Sequence, residues 1–356
     1  MVFLCSLIII VVSSIFWPAS ACSEAKPFKL GFISILSGPY SDVGQAMANA
    51  ARLAVEDYTA SHPDENIAFI LEDDGADPKR AISAYEKLKS VDRADLIMPV
   101  STFAIGALRD RVNRQKDLTF ILGNEPYEPA DDYIFMFTPA AVPAQHGLGE
   151  EVARNHPQGS ILVVTSQNET FLRFARAVRA GSTGRADIVE IPNGADFRSL
   201  ALMIKSRNPV ALVFNGLPRE SAALLRELRR LSFSAFLYFD DSIANSSSEF
   251  ETVLGDLGMI RNARILNLTS QMDSGFGQRY SKRFGSDPRL WTDYAYDATT
   301  LALKLKSKSV NEARAWLLSN DYHGVSGTIR FDRNGLRVAD FRVIPLKEHP
   351  AFSGKL

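Results

Sequence analysis

The side chains able to do chemistry in this chain are scattered, and their spacing excludes most catalytic designs. Five histidines stand at 62, 146, 156, 323 and 349, mostly beside Pro or Gly. No two of them have metal-ligand spacing, and no G-x-S-x-G, Walker A or H-E-x-x-H run is present. GFGQRY (275–280) resembles a Gly-rich phosphate loop only superficially, because no clear strand precedes it in a β-α-β unit. Glu72-Asp73-Asp74 gathers three acids at the end of an apolar run. It is read as a solvated turn leading to a helix cap at Asp77 in preference to a cation site. No catalytic residue, metal or cofactor is expected, and an enzyme is disfavoured.

The cysteines speak of location. There are two, Cys5 and Cys22. Cys5 lies in an uncharged stretch, Phe3 to Trp17, which is too short to span a bilayer and ends at Pro18-Ala19-Ser20-Ala21. That pattern is a secretory signal over residues 1–21, although its first residues carry no Lys or Arg. Cys22 would then be the first mature residue, and no internal disulfide could form. Two readings stay open for it. A lipid attached at Cys22 would tether the chain to a membrane, or cleavage after Ala21 would simply release it. Ala19 departs from the Leu usual three residues before a lipidated Cys.

The rest is ordinary globular material. Of 356 residues, 46% are hydrophobic and 23% charged, with a formal net charge of -1. That length suits two domains, and no basic excess points to nucleic acid or an anionic membrane surface.

The elements that position any site follow from hydrophobic period. Short apolar, β-branched runs at 30–36, 67–71, 94–100, 118–122, 160–164, 209–215 and 234–239 alternate with helix-period segments. Several runs are apolar on consecutive positions, as in parallel strands buried on both faces. Asp42 with Gln45 reads as a capping box, followed by an apolar face of Val43, Met47, Ala50, Ala54 and Tyr58. Asp77-Pro78 opens a second helix. Ser101-Thr102 opens a third, with Ile105, Leu108 and Val112 facing inward. The fold class is α/β: two doubly wound parallel-sheet lobes, divided near MFTPAAVPAQ (136–145). Ligands in such sheets bind beyond the carboxyl ends of the strands. The loops 37–43, 101–103, 123–126, 166–171, 216–220 and 240–242 are therefore the candidates.

Several segments resemble, in order, the type I periplasmic binding proteins of the leucine/isoleucine/valine-binding class, substrate-binding proteins of ABC transporters. LGFISILSGPYSDVGQAMANAARLAVED (30–57) is similar to their opening strand, Ser-Gly-Pro turn and first helix. LEDDGADPKRAISAYEKLKSVDRADLIMPVST (71–102), NGADFRSLALMIKSRNPVALVFNGLPRE (193–220), YAYDATTLA (294–302) and GVSGTIRFDRNGLRVADFRVIPL (324–346) resemble later units. The resemblance implies a three-strand hinge, with a first lobe of 22–138 plus about 270–327 and a second of 139–269 plus about 328–356. It implies a periplasmic or cell-envelope clamp that closes on a small polar solute, an amino acid or a relative, and hands it to the membrane subunits of an ABC permease. A ligand-sensing module of a regulatory system, with the same fold, is the alternative.

The resemblance also assigns roles. Ser101 and Thr102 take the place of the pair that grips a ligand carboxylate at a helix start. Asp241 matches the acid that holds the ammonium, and Tyr40 borders the cleft. Asn124 and Glu125 stand where relatives have small residues and a Thr, bringing a second carboxylate near the site. In place of second-lobe tyrosines, the chain offers Asn168, Thr170 or Phe171, and Leu217. Branched-chain selectivity is therefore not implied.

Overall fold

The computed structural model describes residues 26–38, 41–100, 102–123, 133–245, 247–268, 273–289, 291–338, 341–349 and 351–356. The first half runs β1 (Phe28–Ser34), α1 (Ser41–Ser61), β2 (Ile67–Asp73), α2 (Pro78–Glu86), β3 (Leu96–Pro99), α3 (Thr102–Gln115), β4 (Thr119–Ile121) and β5 (Ile134–Pro139). The second continues α4 (Ala141–Asn155), β6 (Ile161–Ser166), α5 (Glu169–Gly181), β7 (Ala186–Ile191), α6 (Phe197–Arg207) and β8 (Ala211–Asn215). It ends with α7 (Pro218–Arg230), β9 (Phe236–Phe239), α8 (Ser242–Asn245), α9 (Ser247–Leu254) and β10 (Arg264–Asn267). Then follow α10 (Ser274–Phe284), α11 (Thr292–Leu305), α12 (Val310–Ser319), β11 (Tyr322–Gly324), β12 (Gly327–Ile329), β13 (Leu336–Arg337) and β14 (Arg342–Pro345).

Two six-stranded sheets result, ordered β13-β5-β4-β3-β1-β2 and β14-β10-β9-β8-β6-β7. Each is a doubly wound sheet whose strand order reverses beside its first strand. Each takes its sixth strand from the end of the chain, β13 parallel to β5 and β14 antiparallel to β10. Both faces are covered, which explains the unbroken apolar runs. Leu30 and Phe32 of β1 join a core with Phe276, Tyr280 and Leu301 of α10 and α11, while Ile33 faces Tyr85 and Leu108 on the other side. In β6, Leu162 and Val164 face one core and Ile161 and Val163 the other. Each such side chain contributes about 1.5–3 kcal/mol by leaving water.

Expected helix starts hold in part. Asp77 caps α2 through the N–H groups of Lys79 and Arg80, with Pro78 at the first helical position. The Asp42–Gln45 capping box does not form. Asp42 reaches Arg289 at 2.7 Å and Gln45 bonds Asn49, one helical turn on. Among the described residues, seven strands lie outside the apolar runs read from the sequence. β5 lies where a crossing was expected, β7 is an edge strand with Ala186, Val189 and Ile191 buried, β10 is four residues long, and β11 to β14 are two to four residues each.

The chain passes from the first sheet to the second between Pro139 and Ala141, back between Asn267 and Ser274, and over again between Arg337 and Arg342. The last passage falls about ten residues later than the expected boundary near 328. The reason is a turn at Gly335, whose φ is 74° and whose neighbours Asn334 and Leu336 donate to Asp332, sending the chain back along β5.

Candidate functional site

The three crossings leave from the carboxyl ends of β5, β10 and β13, so the sheets are joined at the edge where a ligand site is expected. In the first lobe that edge is organised by Asp73, at the end of β2. It accepts the Leu36 and Gly75 N–H groups, both at 2.9 Å, the Ser37 hydroxyl at 2.7 Å and the Arg80 guanidinium at 2.6 Å. Burial opposes its ionisation, but these four donors prevail and hold the carboxyl down at about 2. The Glu72-Asp73-Asp74 cluster is not the solvated turn expected: Glu72 and Asp73 end strand β2 and are held by Lys87 and Arg80, and Asp74 is buried. Among the described residues, no group of three or more His, Cys, Asp or Glu is placed to hold a metal. GFGQRY lies inside α10, with Phe276 and Tyr280 buried.

Beside Asp73, helix α1 presses on the chain after β1. A Cβ on Gly44 would stand 2.0 Å from the Ile35 carbonyl oxygen, so only glycine lets the helix approach. Helix α3 starts at Thr102, directly after β3. Gly123, after β4, is fixed through its carbonyl oxygen, which accepts the Thr138 hydroxyl at 2.6 Å.

The second lobe presents more. The Ser166 hydroxyl, ending β6, donates to Glu220 at 2.5 Å and accepts the Leu217 N–H at 2.8 Å. A Cβ on Gly216 would sit 2.4 Å from that hydroxyl, which explains the glycine. Asn215 and Gln145, both fully buried, share a bond of 3.4 Å between the end of β8 and the start of α4. Past β9 come two adjacent acids. Asp240 is buried, its Oδ1 accepting the Ser242 N–H at 3.1 Å and meeting the Ser242 hydroxyl, while its Oδ2 has no partner among the described residues. That hydroxyl also lies 2.7 Å from the Gly216 carbonyl oxygen and carries one proton. Burial, then the neighbouring Asp241, push the Asp240 carboxyl well above its ordinary range. Asp241 is itself pushed up to about 6 by burial.

Of the expected site residues, Asp241, Asn168, Thr170, Phe171 and Leu217 are described; Asn168 is the N-cap of α5, its side-chain oxygen accepting the Thr170 N–H at 2.9 Å. Asp241 stands at the carboxyl end of β9. Phe171 lies in the first turn of α5, half-buried and edge-on to Phe174 at 6.3 Å. Leu217 caps α7 with 48% of its surface exposed, a large apolar side chain left open to solvent. Thr102 is placed at the start of α3, but its side chain lies outside the described residues, as do Tyr40, Ser101, Asn124, Glu125 and Cys22. Ser166, Glu220 and Asp240 fall within the candidate loops 166–171, 216–220 and 240–242 but carry no assigned role from the sequence, and Gln145 and Asn215 lie outside those loops. The signal for Ser166, Asn215 and Asp240 is a polar residue ending an apolar run, visible as TS, FN and FDD, whereas Glu220 and Gln145 lie within helices and leave no such mark.

Two doubly wound sheets of this order, joined by three crossings at their carboxyl edges, define the type I periplasmic binding fold. The chain belongs to the periplasmic binding protein family, whose pattern matches residues 27–346. No curated protein matches the chain by sequence. Among solved structures it is similar to an ABC transporter substrate-binding protein from Sphaerobacter thermophilus, at 17% identity and a TM-score of 0.74, covering 92% of this chain and 99% of that one. It is similar to the Streptococcus pneumoniae branched-chain amino acid transporter substrate-binding protein in complex with isoleucine, at 17% identity, TM-score 0.67 and coverage of 89% and 95%. An ABC transporter solute-binding protein from R. palustris, in complex with benzoate, is similar at 14% identity, TM-score 0.68 and coverage of 91% and 94%.

Proposed function

We propose that the chain is an exported solute-binding protein that takes an amino acid or a related small polar solute between its lobes and delivers it to an ABC importer. The observation that carries this reading is the acidic end of β9. Asp240 and Asp241 sit at the strand's carboxyl edge, close through Ser242 to the Gly216 loop that also carries Leu217 and Glu220. A carboxylate held partly out of water there is suited to an ammonium group. The start of α3 supports a partner role for Ser101 and Thr102, since free N–H groups and hydroxyls favour a carboxylate. Export follows from the uncharged run before Ala21, and Cys22 is the candidate for a lipid anchor. The family and the ABC-transporter relatives support a permease as partner. The relatives in complex with isoleucine and with benzoate leave amino acids and small acids both open as ligands.

The test is a thermal-shift screen of the protein from Ser23 onward against amino acids, amides, small acids and sugars. A ligand at about 100 times its Kd adds about 2.7 kcal/mol of stability, an easily read shift. A hit among amino acids supports the reading. Silence from every amino acid, with a cooperative melt, overturns the amino-acid assignment.

A further inference from the structure

We propose a second ligand site, for a small aromatic carboxylate, at the pole of the second lobe farthest from the joined edge. It is independent of the interlobe reading. A cavity of about 490 Å³ opens there, at the amino ends of β9 and β10. That size falls within the range of small-molecule sites.

Its wall is unbalanced in charge: Arg261, Arg264 and Lys347 line it, and among the described residues no carboxylate does. Neither Arg261 nor Lys347 has an ion-pair partner among the described residues, and both are exposed. Arg264 donates one terminal nitrogen to the Val343 carbonyl and stands 3.8 Å from Glu151. Glu151 is itself engaged by Arg154 at 2.8 Å and Asn155 at 3.0 Å. The Arg264 Nε is buried with no hydrogen-bond partner among the described residues, so its guanidinium is under-compensated at the cavity wall. A guanidinium fork suits a planar carboxylate.

The wall also carries three rings, His156, Phe236 and Tyr238, beside Asn155, Asn262, Ala263 and Pro345. Phe236 lies in strand β9 yet is 61% exposed, and its ring stands 4.6 Å from that of His156. His156 is buried and bonded to the Tyr238 hydroxyl at 3.0 Å, which fixes the plane of its ring. Tyr238 is in turn within 3.4 Å of the Asn155 amide, so this floor is rigid before any ligand arrives. A flat ring could lie against Phe236 while its carboxylate meets the cations.

The test is titration calorimetry at low salt with phenylacetate as probe and inorganic phosphate as control. The proteins are the wild type, the Arg261→Ala/Lys347→Ala double variant and Phe236→Ala. All three positions are exposed, so each variant should keep the wild-type melting temperature. The expected result is phenylacetate binding weakened about 10-fold or more in both variants, with phosphate far weaker than phenylacetate. Absence of phenylacetate binding, or an affinity unchanged in both variants, overturns the site. Phosphate binding as tightly as phenylacetate overturns the aromatic assignment. Because these positions are remote from Asp241 and Thr102, failure here leaves the interlobe proposal standing, and the reverse.

Discussion

The Arg337 guanidinium lies over the Tyr294 ring, 4.9 Å from its centre, and through this pair all three crossings between the lobes are tied together. Arg337 ends β13, the last strand before the third crossing. It donates to the carbonyl of Phe137 at 3.2 Å, on the strand that leads into the first crossing, and to those of Ser326 and Thr328 at 3.0 and 3.1 Å. The Tyr294 hydroxyl stands 3.5 Å from the Leu268 carbonyl, at the second crossing. Both residues are buried. Asp297 backs them: it accepts the Val325 and Ser326 N–H groups, both at 2.8 Å, and the Ser326 hydroxyl at 2.5 Å.

Arg337→Met should therefore leave three carbonyls short of donors and Asp297 without its nearest cation. Removing one member of such a buried network costs about 3 kcal/mol or more. The expected outcome is a melting temperature lower by about 5 °C or more, with ligand affinity reduced as the hinge loosens. An unchanged urea midpoint would mean that Arg337 does not join the crossings energetically.

Asp241→Asn should trade binding for stability. Its carboxyl is raised to about 6 by burial, so the folded state holds its proton more tightly than the unfolded chain does. The contribution to stability is present below about pH 4 and is lost as pH rises through about 6. Above that pH the ionised acid destabilises the empty protein, and the neutral amide should raise stability by on the order of 1–2 kcal/mol. In the wild type, affinity for an ammonium-bearing ligand should fall as pH drops below about 6. Thermal melts and calorimetry at pH 5 and 8 read both effects. Equal affinity at the two pH values would remove Asp241 from the site.

Ser101→Ala with Thr102→Ala should weaken ligand binding without unfolding the protein. Each bond lost to a charged group costs about 1.5–3 kcal/mol, so the double variant should lose about 100-fold or more in affinity. An unchanged Kd for the ligand found in the screen would move the carboxylate site elsewhere.

Gly44→Ala should push α1 off the Ile35 carbonyl. The 2.0 Å approach cannot be met by a rotamer change, because the obstructing atom is backbone. A destabilisation of about 1–3 kcal/mol is expected. A neutral melt would show that α1 shifts freely at this edge.

Histidines give the opposite pH sign. Burial lowers the pKa of His349, which is 1% exposed and has no partner at Nε2 among the described residues. The unfolded chain then binds a proton that the folded state refuses, so stability falls as pH drops below about 6.5. His349→Gln should flatten that acid limb of a stability profile taken from pH 5 to 7.5. A slope the same as wild type would assign the loss to other groups.

The sequence by itself determined most of the architecture, because doubly buried strands and capped helices leave local marks. The runs 160–164 and 209–215 are apolar on consecutive positions and became the buried strands β6 and β8, and Asp77-Pro78 opened α2. The order of units also carried the resemblance to the periplasmic binding proteins. What left no local mark was decided in the tertiary structure. β13 and β14 lie five residues apart in sequence but belong to different sheets, and nothing in period or composition separates them. The Arg337 network joins residues up to 200 positions apart, and a buried arginine reads in sequence like any surface one. The same holds for the second-lobe site. Ser166, Gly216 and Glu220 form one bonded group only because parallel pairing of β6 and β8 sets Thr165 beside Asn215. Hydrophobic period reports burial along a strand, whereas the convergence of polar ends depends on which strands are neighbours.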